Sequence, residues 1–168
     1  SLSAPELLKE AGVVASLIRS GRLTKYYDPD PYMERLRQNP TGEKTILVIG
    51  QVEDDASLLK GKASVASNYD LVKLARKENP NARVLFRPHP DYWSGIRKRI
   101  GKERGYKDLC HIVPPSVSLY ELFSVSDHVY TITSLSGFEA LIYGLKVTTL
   151  GAPFYSNWGL TDDRVKLR

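Results

Sequence analysis

Apolar positions along this chain fall into two alternating kinds of run. Short runs of β-favouring residues predict five strands, at Thr45–Ile49, Arg83–Phe86, His111–Val113, His128–Ile132 and Lys146–Leu150. Thr45-Ile46-Leu47-Val48-Ile49 carries no polar alternation, which suits a strand covered on both faces. Other stretches place apolar residues at helical spacing. Leu7, Leu8, Val14, Leu17 and Ile18 predict a helix over Ala4–Arg19 that stops at Gly21. Leu71, Leu74 and Ala75 share one face of a helix over Asn68–Glu78, closed by Asn79-Pro80. Ser94–Glu103 reads as a basic helix, and Gly137–Tyr143 as another. Ser118–Phe123 is a helix opened by the capping box Ser118-x-x-Glu121.

Between the first helix and the first strand the pattern breaks twice. Pro29 and Pro31 forbid a continuous helix there, and Asn39-Pro40-Thr41-Gly42 is a second break. We therefore divide the chain into residues 1–40, an N-terminal helix and connector, and residues 41–168, an α/β domain. Strand–helix alternation at this spacing predicts a Rossmann-like, doubly wound parallel sheet with right-handed crossovers.

Composition narrows the function classes. A chain of 168 residues is one domain's worth, long enough to bury a core. The single cysteine, Cys110, makes no internal disulfide, so nothing argues for an oxidising compartment. No apolar run reaches the ~18–20 residues that span a bilayer, and no signal peptide opens the chain. The expected compartment is the cytoplasm. Cys110 and the three histidines have no zinc spacing, so no metal and no cofactor is expected. The net charge of +5 points to an anionic partner, with nucleic acid, a lipid surface and a phosphate-bearing ligand all open.

In a doubly wound sheet, ligands bind beyond the carboxyl ends of the strands. The loops there are therefore the candidate site. Thr133-Ser134-Leu135-Ser136 puts hydroxyls at a strand end just before a helix, where free amides and the helix dipole favour an anion. The alternative is that Ser136-x-x-Glu139 is only a capping box. Glu139 can accept both protons of a ribose diol from this position. Arg87-Pro88-His89-Pro90 fixes the backbone on both sides of one imidazole, which can donate to a phosphate oxygen. A plain surface turn has the same sequence. Gln51-Val52-Glu53-Asp54-Asp55 sets three carboxylates after the first strand, which can serve as acid and base or bind a metal, or form the solvated cap of a following helix. Arg97-Lys98-Arg99, with Lys102 and Arg104, offers a basic face without any accompanying nucleic-acid motif.

Four segments in order, Gly50–Ser57, Arg87–Pro90, Thr133–Ala140 and Pro153–Thr161, resemble the capsule polysaccharide synthesis family, the KpsC/LipB-type bacterial β-Kdo transferases. The resemblance covers about residues 22 to 163. It implies the C-terminal, nucleotide-sugar-binding domain of a two-domain GT-B glycosyltransferase. Such enzymes are retaining, use CMP-β-Kdo as donor, and build a Kdo linker on a lipid acceptor at the inner face of the cytoplasmic membrane. The His-Pro and Ser/Thr elements are also similar to those of bacterial sialyltransferases.

Carried over by position, the resemblance implies that His89 contacts the donor phosphate and serves catalysis. Thr133, Ser134 and Ser136 lie near that phosphate, Glu139 holds the ribose, and Gln51, Glu53 and Arg87 lie near the nucleotide or the sugar. Trp158 lies near the cleft. The resemblance also implies that the acceptor-binding domain precedes this one, so the chain is one half of the enzyme and is not expected to turn over alone. The competing expectation is a non-catalytic α/β module that docks on anionic membrane or on a protein through its basic helix. Nucleic acid is not an expected partner.

Overall fold

The central strand of the sheet is β1, Thr45–Ile49, whose five residues are all buried. It lies between β2, Arg83–Arg87, and β4, His128–Thr131, and is parallel to both. β3, His111–Ile112, extends the sheet beyond β2. β5, Lys146–Thr149, and β6, Asp162–Asp163, extend it beyond β4. Among the described residues the order is therefore β3-β2-β1-β4-β5-β6, parallel throughout. The structure is a computed structural model and describes residues 3–21, 32–38, 42–52, 63–65, 67–90, 105–114 and 116–167.

Successive strand residues point to opposite faces, so β1, β2 and β4 each feed two cores. On one face Ile46, Val48, Val84, Phe86, Tyr130 and Ile132 pack against Leu71, Val72 and Ala75 of α3, Asn68–Glu78, with Tyr106 of the short α4, Tyr106–Leu109. On the other, Leu47, Ile49, Leu85, Val129 and Val147 meet α5, Leu119–Ser124, and Ala140 of α6, Leu135–Ile142. Burying each such large aliphatic side chain contributes about 1.5–3 kcal/mol. These two cores hold the strand ends level, and that is what positions the loops above them.

The five expected strands are all present, with ends shifted by a residue or so. α1, Ala4–Ser20, is capped by Gly21 as expected and buries none of its residues. It touches the sheet domain through Arg19, whose guanidinium donates to the Ile142 carbonyl at 2.9 Å. Three elements were not foreseen: α2, Tyr32–Arg37, α4 and β6. α2 lies within the stretch read as connector, yet Met33 and Leu36 are buried in the core against α5 and the sheet. Six residues are too few for helical periodicity to register. The remainder of the connector, residues 22–31, and the expected basic helix Ser94–Glu103 fall outside the described residues.

Candidate functional site at the switch point of the sheet

The chain leaves β1 toward β2 on one side and returns through β4 on the other, so the strand order reverses between β1 and β4. Crevices of open α/β sheets form at this point. Ile49 pairs with Arg87 and with Thr131, so the three strands end at one height. The Gly50 amide continues the ladder by donating to the Arg87 carbonyl at 2.9 Å.

Gln51 follows directly and is only 5% exposed. Its side chain crosses the switch point. Nε2 donates to Thr133 Oγ1 at 2.9 Å, and Oε1 accepts from the Thr133 amide at 2.9 Å. Its backbone is held in turn by Asn68 at the start of α3. The Gln51 amide donates to Asn68 Oδ1 at 3.0 Å, and Asn68 Nδ2 donates to the Gln51 carbonyl at 2.8 Å.

Ser134 caps α6. It is extended, with φ −62° and ψ 140°, and its Oγ accepts from the Ser136 amide at 3.2 Å. The Gly137 amide donates to the Ser134 carbonyl at 3.0 Å. This corrects the expected capping box: Ser136 lies inside the helix, so it cannot be the cap that Glu139 reciprocates. The helix starts two residues early because Leu135 and Ser136 both accept helical geometry once Ser134 satisfies the amide behind them. Thr133, Ser134 and Ser136 are half-buried at the mouth of the crevice.

His89, also half-buried, stands two residues beyond the end of β2. β2 and β4 are separated by one strand, hence by about 10 Å, so the His89 and Ser134 loops flank Gln51. Arg87 is buried, and its Nε donates to the Val117 carbonyl at 3.2 Å, which ties it to the loop before α5. Glu139 is half-buried on the flank of α6 that also carries Ser136 and Tyr143, at i+3 and i+7 spacing. Burial raises the Tyr143 phenol above its ordinary value, with the charges of Tyr120 and Glu139 adding to it. Glu53 lies outside the described residues.

Trp158 is 74% exposed, its ring fixed by Nε1 donating to the Phe154 carbonyl at 3.0 Å. The contact from this loop into the site is Tyr155, to which the sequence reasoning assigned no role. Its hydroxyl donates to the Ser134 carbonyl at 2.5 Å, and burial pushes its phenol well above the usual range. Gly137 makes the approach possible, because a Cβ there would run into the Tyr155 hydroxyl and lie 2.9 Å from Thr131 Cγ2. Asn68 was missed as well. Its signal was the polar residue following Ser67 at a helix start, directly across from a strand end.

Chemically, the strand ends carry the hydroxyls of Thr133, Ser134 and Ser136 on one side of Gln51 and the His89 loop on the other. Among the described residues no group of histidine, cysteine, aspartate or glutamate is arranged to hold a metal ion. No helix among them is long and apolar enough to cross a membrane.

Several known proteins are similar to this chain. The lipopolysaccharide-processing protein LpsZ of Rhizobium meliloti is 48% identical over 159 residues, which is 94% of this chain and 36% of LpsZ. The capsule polysaccharide modification protein LipA of Neisseria meningitidis is 40% identical over 136 residues, 74% of this chain and 18% of LipA. This chain thus spans well under half the length of these relatives. Among solved structures, the β-Kdo 2,4 transferase of Thermosulfurimonas dismutans KpsC superposes with a TM-score of 0.77 at 28% identity, covering 99% of this chain and 51% of that one. The β-Kdo 2,7 transferase of the same KpsC gives 0.72 at 33% identity, covering 98% and 48%. The ADP-heptose heptosyltransferase II of E. coli shares the fold alone, with a TM-score of 0.51 at 13% identity. The parallel sheet is of the Rossmann-like class that strand–helix alternation predicts, and it agrees with the GT-B architecture that the resemblance implies. Residues 9–167 match the family described as capsule polysaccharide biosynthesis protein, and the chain belongs to that family.

Proposed function

We propose that this chain is the donor-binding half of a retaining β-Kdo glycosyltransferase that takes CMP-β-Kdo in capsule lipid-linker synthesis. Residues 41–168 form the CMP-sugar-binding domain. A separate acceptor-binding domain of the same enzyme brings the lipid-linked acceptor, at the inner face of the bacterial cytoplasmic membrane. The observation that carries this reading is the Ser134-capped N-terminus of α6, opening at the β1/β4 switch point. Amides at that terminus favour a phosphate without a metal, and a CMP-sugar has a single phosphate. Family membership and the likeness to the two KpsC transferases support the choice of donor.

The roles follow from charge development. When the bond from the sugar's anomeric carbon to the phosphate oxygen breaks, its electron pair leaves with CMP. Negative charge then grows on the phosphate. Donors already aimed there gain strength in the transition state and need no reorganisation. Ser134 and Ser136 hold the phosphate from one side, with Thr133 behind them bonded to Gln51, and the His89 imidazole supports it from the other. Glu139 holds the ribose diol.

Calorimetric titration of the chain with CMP, UMP and AMP, at low and moderate salt, tests the reading. CMP is expected to bind best at both salts, and His89→Ala to weaken it. Equal affinity for the three nucleotides, with binding that follows salt alone, would sink it.

A further inference from the structure

The Gln51 side chain makes a closed pair of hydrogen bonds with one residue across the switch point. The chemistry leaves one orientation for its amide. The Thr133 N–H only donates, so the atom facing it is Oε1, and Nε2 then faces Thr133 Oγ1. Oε1 also receives the Thr133 hydroxyl at 3.3 Å, so both of its acceptor positions are taken. Asn68 repeats the device one step back, with both ends of its amide on the Gln51 backbone. Asn68 and Gln51 are both buried. Two side-chain amides thus link the start of α3, the end of β1 and the end of β4, beyond the last β1–β4 pair, Ile49 and Thr131.

We infer that Gln51 is a positioning residue, which sets the place of the Thr133–Ser134 turn without itself touching the donor. The inference rests on the donor-site reading above and revises the role that the resemblance implied for Gln51. Thr133 immediately precedes the α6 cap, so its amide is the last backbone donor before the phosphate turn. With that amide and the hydroxyl pinned to β1, the cap keeps a fixed distance from the His89 side of the crevice. Released, the turn can rotate about its two flanking residues, and its donors no longer converge. Preorganised donors lose little when a ligand binds, whereas mobile ones must first be ordered.

The test uses the ¹⁵N-labelled chain as wild type, Gln51→Met, Thr133→Val and the double variant. Gln51→Met keeps the volume and removes both polar ends. Amide hydrogen exchange at Thr133 and calorimetric CMP affinity are read on each. The Thr133 amide is expected to be protected in the wild type and in Thr133→Val, and to lose protection selectively in Gln51→Met. Each single change is expected to weaken CMP by about tenfold, the scale of one or two net hydrogen bonds. The double variant is expected to bind no more weakly than the weaker single one, because the pair acts as a unit. Additive losses would mean two separate ligand contacts and would overturn the inference. So would unchanged CMP affinity in either single variant, since a merely structural bond lowers stability and leaves binding alone. A wild type that binds no CMP would instead overturn the donor-site reading itself, and the inference with it.

Discussion

The Tyr155 hydroxyl is bonded to the main-chain carbonyl of Ser134, so the loop after β5 holds the cap of α6 in place. The two residues lie 21 positions apart in different loops. Their contact brings the aromatic cluster of Phe138, Phe154 and Tyr155 up to the candidate phosphate turn.

Tyr155→Phe removes this bond and keeps the ring against Phe138 and Phe154. The Ser134 carbonyl still accepts from the Gly137 amide, so it is not left unsatisfied. The expected cost is therefore modest, about 1 kcal/mol in urea unfolding, together with weaker CMP binding because the turn loses one of its anchors. Unchanged unfolding and unchanged CMP affinity would show that the hydroxyl holds nothing.

The cap itself separates two serines that look alike in sequence. Ser134 accepts the Ser136 amide, whereas Ser136 lies inside the helix. Ser134→Ala is expected to destabilise the chain by about 1 kcal/mol, and Ser136→Ala by much less. If both serines hold phosphate, both variants weaken CMP, so affinity and stability part company only at Ser136. Thermal unfolding and CMP titration on the pair measure this, and an equal loss of stability in both would contradict the observed cap.

These contacts show where sequence reading stops. The strands were legible because unbroken apolar runs such as Ile46-Leu47-Val48-Ile49 have few other uses than a two-faced core. The site loops were legible because a doubly wound sheet puts its ligands at the strand ends, and polar residues there stand out. What was not legible is which polar atom faces which. Gln51 reads as a ligand contact until Thr133, 82 residues away, is seen to occupy both ends of its amide. Ser136-x-x-Glu139 fits the capping pattern as well as Ser134 does, and only the backbone angles decide. α2 escaped notice because six residues with two buried positions, Met33 and Leu36, make no periodic signal.

His128 provides the pH dependence. Burial is the main cause that lowers its pKa below the ordinary 6.5, and the Lys44 cation adds to it. Lys146 acts the same way, while Asp162 and Glu78 oppose it. The ring lies 4.8 Å from that of Tyr130, and its Nε2 is 2.9 Å from Thr148 Oγ1. Since the folded chain binds this proton less readily than the unfolded chain, the unfolded state holds more protons once the pH drops to about 6.5. Stability is then expected to fall as pH decreases from about 7.5 to 5.5, a window above the titration of ordinary carboxylates near pH 4. His128→Gln keeps a hydrogen-bonding group opposite Thr148 and removes the proton. His89 and His111 are present in both proteins, so the comparison isolates His128. The melting temperature of the wild type should therefore drop more steeply over this window than that of His128→Gln. Parallel curves would mean that His128 takes up its proton as readily in the folded chain as in the unfolded one, and that its burial beneath Thr148 and Tyr130 costs the cation nothing.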